Sequence, residues 1–502
     1  MAHQRSAHSR VTQATVGGLD GILDCMSVTP PDPRPGGGRG SSRLVAGTRR
    51  AFRPSGPPTD ELPVFVHPDE VADVTARAVV DLALRAGIAL LSTGAPAADV
   101  VATVLQLTRA YGMTSVHVDI TFTSIAVSYQ RGPHADPMTV MKVVRHRTQD
   151  FTRLERLREL VAAVAAHPIP VQEARERFDA VVRAPHPYRR WVVASASAVL
   201  AAAVALLIGA GPLIIALTFA SALLIDRLQR ALGRANVASF FTQCIAAAVP
   251  TAVAIVVVVA AREGWGPAAA ASPSLIVASG IVLLLSGLSV VGAAQDALEG
   301  YYVTAGARSF EVVVMTLAIV IGVTTVLSIG NRIGLPIAVS SKTYLDQSLL
   351  LQVTCAVLIA AAFAVSAHAR GRVVVLSGVL GAVGWVVATA LGDSLGFGAA
   401  VSATLAAGVI GFLARAGARR LRAGALAVTT SAIVPLLPGR AVYQGISEMI
   451  GAGSEGPLLG LTTLAGAGIV GLGLAAGVSL GTYAAAIVSA LRHRRPLFPT
   501  AA

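Results

Sequence analysis

Apolar and polar residues are distributed very differently on the two sides of Trp191. After it, apolar runs with few charges follow one another, each close to the roughly 20 residues a helix needs to cross a bilayer core. Ten spans are predicted, at about 192–209, 212–225, 237–260, 274–294, 309–329, 347–367, 373–391, 398–415, 423–439 and 459–489. Before Trp191 the periodicity is that of a small mixed domain. Residues 71–91 and the stretch ending near Tyr111 repeat apolar positions at helical spacing, separated by Ser92-Thr93-Gly94-Ala95-Pro96 and closed by Gly112. Val116, Val118, Ile120 and Phe122 then alternate with polar neighbours, which predicts a strand. A second strand runs through Tyr129, and a third covers 138–144 after a turn at Gly132-Pro133. Helices over 150–166 and 170–182 complete an α+β domain at 69–187. Residues 1–68 are rich in Pro, Gly and Arg and read as a disordered tail. The rest divides into two five-span halves, 191–330 and 345–490, and a cytoplasmic tail, 491–502.

Composition agrees with this division. The chain is 54% hydrophobic and 13% charged, against about 25% charged in ordinary soluble domains. Its excess of Ala, Gly and Val suits spans whose backbones approach closely. The net charge of +13 would suggest nucleic acid if the arginines were clustered on a soluble face, but they sit in short loops between apolar runs. With the N-terminus inside, the inner loops carry Arg227, Arg230, Arg234, Arg308, Arg370, Arg372, Arg415, Arg419, Arg420 and Arg422. The inner flanks add Arg189, Arg190, Arg492, Arg494 and Arg495. The outer loops carry only Arg262, Arg332, Lys342 and Arg440, so fifteen cations face four, which predicts cytoplasmic termini. Cys25, Cys244 and Cys355 match no metal or disulfide framework. The first 60 residues contain no apolar segment of secretory type.

Two segments resemble each other. Residues 279–287 (SGIVLLLSG) and 431–439 (SAIVPLLPG) agree at six of nine positions, and Asp296 then falls at the same offset as Glu448. Each segment is the fourth span of its half. An odd number of spans per half sets the copies in opposite orientation, the inverted-repeat logic of secondary transporters with a site near the midplane. Pro435, Pro438 and Gly439 interrupt the ninth span and free backbone groups for a ligand, an ordinary proline kink being the alternative.

Enzymatic chemistry finds no support. The two lysines, Lys142 and Lys342, follow no Gly-rich phosphate loop, and no metallohydrolase or serine-hydrolase motif lies in the spans. Gly392-Asp393 resembles an intramembrane aspartyl protease motif but has no second aspartate to pair with. No enzyme activity, cofactor or metal is therefore expected. Polar residues at membrane depth are the remaining signal. Asn236 and Gln243 flank Phe240-Phe241. Gln295, Asp296 and Glu299 follow the fourth span, where Glu299 reads as a solvated loop charge. Glu311 pairs with Arg308 at i, i+3. Asp393 has no neighbouring cation and is a proton-site candidate. Arg440, Tyr443, Gln444 and Glu448 follow the Pro-Gly break. Arg440 suits either a substrate carboxylate or an interfacial anchor.

These residues resemble those of the threonine/serine exporter family. The N-terminal likeness lies in the 90–96 segment LLSTGAP, the strand pair over 116–129, the 150–154 segment DFTRL and the 170–174 segment PVQEA, followed by five spans containing Asn236 and Phe240-Phe241. The C-terminal half resembles the family's companion five-span domain through the 433–439 segment IVPLLPG and Tyr443. The resemblance covers about 70–490. It implies export of small polar amino acids across a bacterial cytoplasmic membrane, driven by a proton or other ion gradient. It departs from the family at Ser286-Gly287, where Pro-Gly is frequent. Candidate substrate contacts are Ser286, Gly287, Pro438, Gly439, Arg440, Tyr443 and Asn236; candidate ion-coupling residues are Asp393, Asp296 and Glu448. The expected partners are the amino acid, the coupling ion and membrane lipid, with a homo-oligomer left open and the soluble domain a candidate gate or dimerisation module. A dicarboxylate exporter and a membrane-anchored receptor or enzyme are the competing readings.

Overall fold

A computed structural model describes residues 73–131, 136–144, 149–269, 272–284, 287–335, 347–421, 423–450 and 456–493. Ser286, Lys342, Arg422, the turn at Gly132-Pro133, the predicted tail 1–68 and residues 494–502 lie outside the described residues.

The N-terminal domain contains α1 (Asp73–Ser92), α2 (Ala97–Ala110), β1 (Val116–Ile120), β2 (Ser124–Tyr129), β3 (Met138–Val143), α3 (Phe151–Ala166) and α4 (Val171–Arg183). The strands form an antiparallel sheet in the order β1-β2-β3, with Val116 opposite Tyr129 and Ile125 opposite Lys142. Period-two alternation turns Val116, Val118, Ile120, Ile125, Val127 and Tyr129 to one buried face, which α1 and α2 cover. Phe122 falls beyond β1, because the chain already turns there: the Thr121 amide donates to the Ser124 carbonyl. Asp81 ties three elements together, accepting Arg85 of α1, Lys142 of β3 and Arg175 of α4 at 2.9, 3.0 and 2.8 Å. Residues 184–189 then lead directly into the membrane region.

That region contains α5 (Arg190–Leu207), α6 (Pro212–Arg234), α7 (Ser239–Arg262), the short α8 (Gly266–Ala269), α9 (Pro273–Leu284), α10 (Gly287–Leu298) and α11 (Tyr302–Arg332). There follow α12 (Leu349–Ser366), α13 (Gly371–Thr389) with a π turn at Ala390–Ser394, and α14 (Ala399–Leu421). The last elements are α15 (Ala425–Ala432), a 3-10 turn (Val434–Leu436), α16 (Gly439–Ile450) and α17 (Gly456–His493). Among the described residues, eight helices are long and apolar enough to cross a membrane unaided, the π turn being counted with α13. The fourth and ninth predicted spans differ from these. In the fourth, the described residues form the 12-residue helices α9 and α10, and residues 285–286 between them lie outside the described residues. The ninth is α15 and α16, bent by 48° at the Pro-Leu-Leu-Pro-Gly segment, and it continues to Ile450 rather than ending at Gly439. Among the described residues, eight of the ten apolar stretches are thus long helices, and the ninth is a bent pair.

The two blocks, α5–α11 and α12–α17, share one packing pattern. The first helix packs on the second (α5 on α6, α12 on α13), and the third packs along the last (α7 on α11, α14 on α17). The helix before the last also packs on it (α10 on α11, α16 on α17). The blocks meet where α5 packs on α12, α9 on α16 and α10 on α17. Along α14 and α17 the backbones nearly touch: a Cβ at Gly477 or Gly481 would run into the carbonyl oxygens of Thr404 and Gly408. Glycines four residues apart allow such an approach between spans.

Candidate functional site

The break in the ninth helix follows from its prolines. Pro435 and Pro438 have no amide to donate, so the ladder cannot run from α15 into α16. The chain passes through the 3-10 turn and an extended Leu437 (φ −60°, ψ 140°), and helix resumes at Gly439. The first amides of a helix have no partner within it and carry partial positive charge. Arg440 stands on this N-terminus, exposed, and among the described residues no carboxylate is paired with it. The opposite block comes up to this point, since a Cβ at Gly439 would lie 3.0 Å from Val282 Cγ1 of α9.

The break opens on a cavity of about 1880 Å³ between the blocks. Pro438, Gly439, Arg440, Tyr443 and Gln444 line it from α16, and Asp393 lines it from the π turn of α13. Trp385 and Gln352 contribute a hydrogen-bonded pair on its wall, the indole Nε1 donating to Gln352 Oε1 at 3.1 Å. Gln149 of the N-terminal domain also lines it. A guanidinium at a helix N-terminus is a carboxylate-binding arrangement, because it combines two parallel N–H donors with the helix dipole. Among the described residues, no three His, Cys, Asp or Glu side chains converge as metal ligands would.

The structure places the other candidates elsewhere. Asn236 is exposed in the turn between α6 and α7 with φ 53°, a conformation Asn adopts more readily than most residues. Gly287 begins α10 next to the cavity-lining Leu288. Glu448 lies two turns beyond Arg440, accepting Gln444 Nε2 at 2.9 Å and the Thr463 hydroxyl at 2.6 Å. Asp296 is fully buried at the end of α10, where it meets Arg308 of α11 at 3.0 Å and accepts the Ala97 amide of α2 at 3.1 Å. Arg308 therefore pairs with Asp296, not with Glu311 as the spacing suggested, and Gly292 makes room for it: a Cβ there would lie 2.7 Å from Arg308 Nη1. Gln243 proves useful where sequence gave it no role, since its Nε2 donates at 2.7 Å to the Leu284 carbonyl of α9.

The soluble domain rests on both blocks. On the first it contributes the Ala97 amide to Asp296 and the Ile120 carbonyl to the Thr304 hydroxyl at 3.2 Å. Glu299, in the turn after α10, is half-buried beside this contact. Burial, with Asp99 and Asp296 nearby, raises its carboxyl to about 7, so it is not the solvated loop charge the sequence suggested. On the second block the Phe151 amide donates to the Ala367 carbonyl at 3.0 Å, and the Tyr188 hydroxyl to that of Ala369 at 2.9 Å. Arg370 reaches Glu159 at 3.0 Å, and Glu155 accepts the Gly424 amide. Asp150 caps α3 through the Arg153 amide and holds His186 at 2.9 Å.

Comparison with known proteins covers most of the chain. Residues 81–330 match the family model described as "Putative threonine/serine exporter", and residues 352–489 match that described as "Threonine/Serine exporter, ThrE". A "Probable threonine/serine exporter" of Mycobacterium tuberculosis is 35% identical over 430 residues, 84% of this chain and 79% of that protein. A "Threonine/serine exporter" of Corynebacterium glutamicum is 31% identical over 425 residues, 83% of each. No solved structure matches the chain.

Proposed function

The chain belongs to the threonine/serine exporter family, and from that premise we propose that it is a secondary transporter carrying threonine, serine or similar small amino acids out of a bacterial cytoplasm. The observation that carries the reading is Arg440, set on the N-terminus of α16 and facing the cavity between the blocks. It offers a carboxylate site, and the scarcity of other cavity cations suits a zwitterion better than a dicarboxylate. The coupling ion is the proton. Asp393, a carboxylate on the same cavity, is the candidate carrier. Both termini face the cytoplasm, which the arginine distribution supports. Five crossings per block then give the two blocks opposite orientation, so that rocking of one against the other exposes the cavity to each side in turn.

The test is efflux of labelled threonine and succinate from preloaded cells, with and without the protein, before and after an uncoupler. Threonine efflux that requires the protein and collapses with the uncoupler is expected. Succinate efflux alone would replace the amino-acid reading with the dicarboxylate one. Efflux of neither would sink the substrate assignment.

A further inference from the structure

The helix that carries Arg440 carries two more polar groups in line with it. Arg440, Gln444 and Glu448 are four residues apart on α16, so they follow one face, with Cβ atoms about 5–6 Å apart. Arg440 and Gln444 line the cavity. Glu448 stands behind Gln444, one carboxylate oxygen accepting Gln444 Nε2 at 2.9 Å and the other accepting Thr463 of α17 at 2.6 Å.

An ionised carboxylate only accepts hydrogen bonds. Glu448 therefore engages the NH2 end of Gln444 and leaves the carbonyl end, Oε1, to the cavity. Without that constraint the two ends of the amide are nearly identical in shape, and either can turn outward. The outward end decides what is recognised one turn from Arg440: a carbonyl accepts from an ammonium, whereas an NH2 group donates to a second carboxylate or a hydroxyl. We infer that Glu448 is a positioning residue that holds Gln444 with its carbonyl toward the solute, and that Arg440 and Gln444 together select α-amino acids over acids lacking the amino group. This deepens the export reading and rests on it: the guanidinium takes the carboxylate, and the amide oxygen takes the ammonium.

The experiment uses the full-length protein in proteoliposomes transporting labelled threonine, with unlabelled threonine and 3-hydroxybutyrate (threonine without its amino group) as competitors. The wild-type protein should bind 3-hydroxybutyrate about tenfold or more weaker than threonine, as loss of a hydrogen bond to a charged group implies. In Glu448→Gln the amide is free to turn. The threonine KM should rise and the discrimination ratio fall toward one, while the maximal rate changes less. Gln444→Leu should lose discrimination to the same extent, and adding Glu448→Gln to it should lose nothing more. A Glu448→Gln protein that transports with the wild-type ratio would overturn the inference, as would a loss of rate at an unchanged ratio. If Glu448→Gln does not reach the membrane, an unchanged ratio in Gln444→Leu overturns it equally. A wild-type protein that moves no threonine would show before any variant is made, and would remove the export reading itself.

Discussion

The α9–α10 and α15–α16 segments have related sequences and are used in different ways. The alignment that pairs Gly287 with Gly439 also pairs Leu288 with Arg440, Gly292 with Gln444 and Asp296 with Glu448. In the first block Gln243 donates to the Leu284 carbonyl of α9, and an apolar leucine stands where the second block has its arginine. Asp296 is spent on Arg308 and on the amide of a soluble-domain helix. In the second block Arg440 faces the cavity and Glu448 holds a glutamine on its own helix. Related segments thus serve two ends, and a few side chains make one an anchor for the N-terminal domain and the other a face of the cavity. The glycine at 292 matters as much as the charges, because it is the space that admits Arg308.

The largest test of this contrast is Arg440→Ala against Leu288→Ala. Removing one partner of a hydrogen-bonded charge pair costs about 2–5 kcal/mol, so threonine efflux should fall by about 30-fold or more in the first. The second should stay within about twofold of wild type. Initial efflux rates normalised to the amount of protein in the membrane measure both, and equal losses would erase the distinction between the two segments.

The anchor should respond through stability. Asp296→Ala leaves Arg308 buried without its anion, at a cost of about 3–5 kcal/mol. Combining it with Arg308→Met should recover most of the loss, because the pair is then replaced by apolar contact. Thermal unfolding of the detergent-solubilised protein reads this directly. A double variant no more stable than the single one would show that Asp296 matters for the Ala97 amide rather than for Arg308.

A smaller effect sharpens the picture at the docking surface. Glu299 is raised to about 7 when the domain is docked, above the ordinary glutamate value of about 4.3. A carboxyl whose docked value is raised favours docking most below its undocked value, and that contribution disappears as pH rises through about 7. Hydrogen-exchange protection of the first α2 amides should therefore weaken between about pH 4.5 and pH 7 and level off above that. Glu299→Gln should flatten the dependence, and a slope unchanged by that substitution would assign it to another group.

Much of the fold is legible in the sequence because hydrophobic periodicity reports burial directly. The strands around Val116, Val127 and Val140 and the helices near Leu84 and Leu157 lie close to where alternation and helical spacing put them. The ninth span was harder. Pro438-Gly439-Arg440 reads as the end of a span with a charged loop after it, whereas helix resumes there and Arg440 belongs to the cavity. Glu299 looked solvated because nothing local shows that Asp99, 200 positions earlier, lies close enough to affect it. The part played by Gln444 was equally hidden, since it depends on Thr463 of another helix holding Glu448.

The six residues between α4 and α5 set a distance limit. Fully extended they span about 20 Å, so a soluble domain that lets go of the second block stays within that radius of it. Its local concentration there is of millimolar order, set by the tether and independent of how much protein the membrane holds. Release is then a brief excursion followed by recapture, and a separate copy of the domain supplied in solution would displace it only at comparable concentration.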